Sequence, residues 1–145
     1  MTRPPKSIIL LLAGRVLAGL IQIFALYVIF HGHYSPGGGF QGGALLAASI
    51  LLLRLCSGVQ ESQRQFKSTL ATPLSAVGVL IYALVGLAPV LAGAAYLNYE
   101  FLPLPTSEPA EARSLGILLV EIGVGMGVMA TLISIFDDLS QGTDG

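Results

Sequence analysis

Long apolar runs separated by short polar breaks dominate this chain, and their lengths decide its class. Four runs can be drawn, at residues 7–30, 36–56, 74–96 and 115–136, and each is long enough to cross a hydrocarbon core of about 30 Å as a helix. Residues 8–12 and 45–53 are near-continuous in apolar side chains, whereas a barrel strand alternates apolar and polar over about ten positions. The pattern predicts an all-α integral membrane protein: one domain of four transmembrane helices, arranged as two hairpins.

The break between the first two runs reads His31-Gly32-His33-Tyr34-Ser35-Pro36-Gly37-Gly38-Gly39-Phe40-Gln41-Gly42-Gly43. Ser35 followed by Pro36 suits an N-cap and first helical position, where one amide hydrogen has no intrahelical partner anyway. The second helix is therefore expected to start at Pro36, giving about 21 residues, or roughly 30 Å, by Cys56. Within it Gly38 and Gly42, and Gly39 and Gly43, stand one turn apart, and Ala47 extends that face. Each glycine costs about 1 kcal/mol relative to alanine in a helix, so this density needs a compensating contact. Close backbone approach in lipid supplies one, and the glycine faces are expected to be sockets for neighbouring polypeptides.

Composition agrees: 145 residues are 54% hydrophobic and only 10% charged, with a mean hydropathy of +0.80. Arg3 and Lys6 precede the first run, and Arg54, Arg64 and Lys67 border or occupy the connection between runs two and three. The 31–35 turn carries no lysine or arginine, and 97–114 sets Glu100, Glu108 and Glu111 against Arg113. This asymmetry predicts both termini in the cytoplasm. Arg15 and the length of the first run argue for a retained span rather than a cleaved signal, whose apolar core is typically about 7 to 15 residues. Prolines at 103, 105 and 109 suit an extended cap between runs three and four. The single cysteine, Cys56, allows no internal disulfide or cysteine-ligated cluster and reads as an inert apolar residue. No basic run points to nucleic acid.

Ionisable groups inside spans are the candidates for chemistry, because each costs about 2.5 to 3.5 kcal/mol to insert and so faces protein or water. Arg15 shares a stripe with Gly19 and Gln22. Glu121 precedes Gly123 and Gly127, a second pair of small residues one turn apart. By helical rise alone, a long arginine side chain bridges the difference in depth, so an Arg15–Glu121 pair is one expectation. His33 joins Glu121 and Arg15 as an ion-path candidate because imidazole titrates near neutral pH. His31 and His33 on one loop fall short of the roughly four ligands of a structural zinc site, so neither a metal nor any other cofactor is predicted.

The segment from Gly32 to Gly43, followed by Ala47-Ala48, resembles the signature of the MnhB family, one of the membrane subunits of the Mrp-type multisubunit sodium/proton antiporter. A weaker likeness extends over nearly the whole chain, including 27–30 and Glu121-Ile122-Gly123-Val124. The family usually has aspartate where Glu121 stands and asparagine where Tyr34 stands. The resemblance implies a multi-pass subunit of a prokaryotic cytoplasmic membrane, not itself an enzyme, that assembles with large antiporter subunits related to the proton-pumping arm of respiratory complex I. It implies Ser35, Pro36, Gly37, Gly38, Gly39, Phe40, Gly42 and Gly43 as signature and packing residues. The expected role is mainly assembly, with a contribution to the ion path. Similar small subunits occur in the ion-translocating arm of membrane-bound hydrogenase-like redox complexes. The sequence leaves that assembly open, and also an autonomous oligomeric transporter or channel.

Overall fold

A computed structural model describes residues 7–32, 37–105 and 108–141. Four long helices carry the fold: α1 (Ile8–His31), α2 (Gly39–Ser57), α4 (Ala71–Leu91) and α5 (Pro109–Gln141), with the single-turn α3 (Val59–Ser62) between α2 and α4. Each long helix is sufficiently apolar and extended to cross a membrane.

The helix ends differ from the sequence expectation for local reasons. The second helix begins at Gly39 rather than Pro36, because Gly37 and Gly38 take φ of 157° and 121°, conformations closed to a helix and comfortable only for glycine. Ser35 and Pro36, like His33, Arg3 and Lys6, lie outside the described residues. The third long helix stops at Leu91, short of 96, where Gly93 at φ 80° follows the C-cap in the left-handed conformation that ends helices. The fourth starts at Pro109, six residues before the apolar run, with Pro109 at its first position and Glu111 in its first turn against the positive end of the helix dipole. Its 33 residues make a rod of about 50 Å.

The helices stand in a row, α1–α2–α5–α4. Helix α2 packs on α1 and α5, α5 packs on α2 and α4 and touches the end of α1 through Ile29 and Gly32, and α1 and α4 share no packing among the described residues. Glycines set the spacing. Gly39 and Gly43 face α5, where a Cβ on Gly43 would lie 2.5 Å from the Gly125 carbonyl oxygen. Gly42, around the helix, faces Ala25 and Ile29 of α1, and Gly14 of α1 receives Cys56 of α2. Gly78 of α4 sits against the backbones of Gly123 and Gly127. The sockets expected for neighbouring polypeptides are thus filled largely by helices of the same chain. Gly127 is the exception: the space ahead of its own Cα is open. It opens on an apolar groove of about 430 Å³ between α4 and α5, near Phe40, Tyr82 and Leu132.

Three matched levels show that α2 and α5 run parallel: Gly43 against Gly125, Ile50 in one cluster with Ile133, and Arg54 against Asp137. Helix α4 runs antiparallel to α5, with Ser75 hydrogen-bonded to Thr131 at 3.1 Å. The α1–α2 turn ends at the level of Glu121, whereas α5 extends from there back to Pro109, roughly 18 Å, beside the α4–α5 connection, where Tyr99 and Leu102 meet Gly116. The two hairpins are therefore offset along the bundle axis.

The α2–α4 connection is not a simple loop at the bundle end. Gly58, at φ 85°, turns the chain back, and Phe66 packs into a buried cluster with Ala47, Ile50, Ala71 and Ile133. Its backbone is internally bonded, with Ser62 N–H to Gly58 O at 3.2 Å, Phe66 N–H to Ser62 O at 3.1 Å and Leu70 N–H to Lys67 O at 2.9 Å. That satisfaction lets a non-helical segment lie among apolar helices.

Gly43→Ala is expected to cost about 1–3 kcal/mol, because the added carbon meets backbone that cannot rotate away. Gly127→Ala, entering open space, is expected to leave stability unchanged or raise it by up to about 1 kcal/mol through helix propensity. Thermal melting of the detergent-solubilised protein checks both.

Candidate functional site

Two polar features lie within the helix row, at opposite ends of the α2–α5 contact. At one end is Glu121. Its carboxylate occupies the space where Cβ atoms would stand on Gly32 and Gly38, 2.9 Å from the latter position, and its main chain fills the corresponding space at Gly39. Glycines at these three places therefore make a seat for an acid side chain at the α1–α2 turn. Gly38, with its neighbour Gly37 also at positive φ, leads the chain into α2. The Glu121 carboxylate thus lies against the glycine backbone of the α1–α2 turn.

The Arg15–Glu121 pair does not form. Arg15 lies half-exposed toward the α2–α4 connection and bonds Glu61 at 3.1 Å, while Glu121 is held at the turn. Depth counted from each span end suggests a match, but Glu121 abuts Gly32, about 17 residues or roughly 25 Å along α1 from Arg15, beyond the reach of that side chain. The rest of the Arg15 stripe turns the same way: Gln22 donates to Gln65 at 3.4 Å, and Gly19 meets no neighbouring atom. At the turn, His31 stacks on Tyr27 with ring centroids 4.2 Å apart, and its Nδ1 lies 3.2 Å from the Tyr27 carbonyl oxygen. Gly123 and Gly127 do share a packed backbone surface, against Gly78. Phe40, a signature residue, lies exposed on the first turn of α2.

At the other end is an ion pair that sequence reasoning misses. The Arg54 guanidinium donates through Nη1 to Asp137 Oδ1, with the arginine side chain fully buried and the aspartate 6% exposed. Ser68 Oγ accepts from Arg54 Nη2 at 3.4 Å and from Gln63 Nε2 at 3.3 Å, tying the α2–α4 connection to the pair. In the sequence, Arg54 reads as a flanking charge that sets orientation, and Asp137 carries no such signal. The available clue is their opposite sign at matched depths, each at the same predicted end of its span. Asp137 Oδ2 and Arg54 Nε are buried without hydrogen-bond partners among the described residues. The pair is therefore held chiefly by one contact and by mutual charge. Cys56, two residues on, is buried against Gly14.

Comparison with known proteins gives a consistent result. Residues 9–134 match the family described as a domain related to the MnhB subunit of Na+/H+ antiporter. The chain is 32% identical to the B subunit of the Na+/H+ antiporter of Alkalihalophilus pseudofirmus, over 81% of its own length and 86% of the relative's. It is also 32% identical to the corresponding antiporter protein of Bacillus subtilis, over 88% of its own length and 93% of that protein's.

Asp137→Leu is expected to destabilise the protein by about 3–5 kcal/mol, since it leaves a buried guanidinium uncompensated, and Arg54→Met with Asp137→Leu to recover most of that loss. A double-mutant cycle of thermal stability checks the coupling.

Proposed function

The chain belongs to the MnhB family of Na+/H+ antiporter subunits, and on that premise we propose that it is one small membrane subunit of a multisubunit sodium/proton antiporter, walling an ion route that other subunits complete. The observation that carries this reading is the open row of helices. A path through a single chain needs helices closed around it, and here α1 and α4 stand at opposite edges without packing on each other among the described residues. The edges expose long apolar surface, including Ile23 and Phe24 on α1 and Val79 and Leu84 on α4, suited to lipid and to other membrane subunits. Large antiporter subunits of the complex-I-like kind are the partners this role requires.

Glu121 is the residue assigned to ion coupling. Its carboxylate is seated against Gly32 and Gly38 at the α1–α2 turn, and α5 fixes its position through the Gly39 and Gly43 contacts. Arg15 and the Arg54–Asp137 pair are assigned structural roles, the first tying α1 to the α2–α4 connection and the second tying α2 to α5. The basic α2–α4 connection, with Arg64 and Lys67, is assigned to the cytoplasmic face together with both termini.

Glu121→Gln is expected to depress sodium/proton exchange by about a hundredfold or more in inside-out vesicles, the scale of losing a positioned proton carrier, with complex yield little changed. Glu121→Asp, shorter by one methylene, is expected to retain part of the activity. Unchanged exchange in Glu121→Gln would reduce the residue to packing, and purification of the chain alone from mild detergent would remove the subunit reading itself.

A further inference from the structure

A second polar concavity lies away from Glu121, where the α2–α4 connection folds over the flank of α1. It is a pocket of about 260 Å³ bordered by Arg15, Ser57, Glu61, Ser62, Arg64 and Gln65. Glu61 bridges two arginines, with Arg15 Nη2 on Oε1 at 3.1 Å and Arg64 Nη1 on Oε2 at 3.4 Å. Two guanidiniums share one carboxylate, leaving the group with one net positive charge. Each guanidinium has five N–H donors and spends one on Glu61, so most of the donor capacity remains unspent. Ser57 Oγ is buried at the pocket with no hydrogen-bond partner among the described residues, an orphaned polar atom of the kind a bound ligand satisfies.

The surroundings decide what kind of anion fits. Arg15 lies seven residues into a mainly apolar helix, and its neighbours Leu12 and Val16 are 62% and 56% exposed. These exposed apolar side chains suit contact with hydrocarbon. An anion that reaches Arg15 along this flank arrives with an acyl chain beside Leu12 and Val16. We infer that this pocket is a binding site for the phosphate headgroup of an anionic phospholipid, with Arg15 and Arg64 as its cationic wall and Ser57 as a hydroxyl donor. Arginine is suited to the role because its planar fork matches phosphate oxygens in pairs, and basic pockets beside transmembrane helices hold anionic headgroups. The Glu61 carboxylate does not oppose this, because it is already neutralised by the two arginines and holds them in place. Bound lipid would fasten the α2–α4 connection to α1, a contact otherwise made by the Arg15–Glu61 and Gln22–Gln65 bonds.

The test uses the assembled complex in nanodiscs that contain a photoreactive phosphatidylglycerol, with crosslinked peptides identified by mass spectrometry. Labelling is expected on the 8–20 and 57–66 peptides, and excess unlabelled phosphatidylglycerol should compete it away while phosphatidylcholine does not. Arg15→Gln with Arg64→Gln should lower labelling by roughly thirtyfold, the effect of two cationic contacts at a membrane surface. Ser57→Ala should lower it severalfold, and Arg113→Gln, near the far end of α5, should leave it unchanged. Arg15→Lys with Arg64→Lys, which keeps the charge, should retain part of the labelling and so separates a lost site from a misfolded one. The proposal is overturned by equal labelling from a photoreactive phosphatidylcholine, by labelling indifferent to the double glutamine variant, or by competition from millimolar inorganic phosphate, which would mark a site for a free anion.

Discussion

The parallel contact between α2 and α5 is the constraint on which the other features depend. Along one seam, Gly39 and Gly43 admit the α5 backbone, Ile50 meets Ile133, and Arg54 meets Asp137. Because lipid gives little hydrophobic reward for helix association, such a seam draws its stability from short backbone distances and buried polar contacts. The spacing that the glycines allow is what brings Glu121 to the turn at one end and lets a fully buried guanidinium reach its carboxylate at the other. The two ends are thus coupled by geometry: a shift of α5 along α2 would disturb both.

Much of this is legible in the chain, and the misses have physical causes. Run length yields four helices, and glycine spacing marks α2 as a helix made for close contact. What spacing alone does not encode is the neighbour, and here most of the neighbours belong to the same polypeptide. Hydropathy places the start of the last span at 115, yet Ala110, Glu111, Ala112 and Arg113 are mostly strong helix formers and carry α5 outward past the apolar run. A proline at 36 reads as a helix start, but two glycines with positive φ hold the chain away from helical geometry until Gly39. Arg54 is the most misleading residue, because an arginine at a span end serves equally as a topological marker and as half of a buried pair. Only the register between α2 and α5 separates these uses.

The same seam frames the functional assignment. Family membership marks a subunit of a multisubunit Na+/H+ antiporter, and the proposed place beside an ion route rests on the unclosed row of helices and the acid seated at a helix turn. Glycine in this chain performs two tasks. In the middle of the row it lets backbones touch, and at the turn it makes room for a carboxylate. The first task fixes where the second takes place.

The offset between the two hairpins has a consequence for the surrounding bilayer. Because α5 runs on past the α1–α2 turn, the two sides of the row present unequal heights to a hydrocarbon slab about 30 Å thick. The mismatch must be absorbed by tilting the row, by thinning the lipid leaflet next to one hairpin, or by burying one belt in an adjoining polypeptide. Where a neighbouring polypeptide covers the shorter side, less of that step is left to the lipid, so the thickness of the host bilayer bears on the elastic work of insertion.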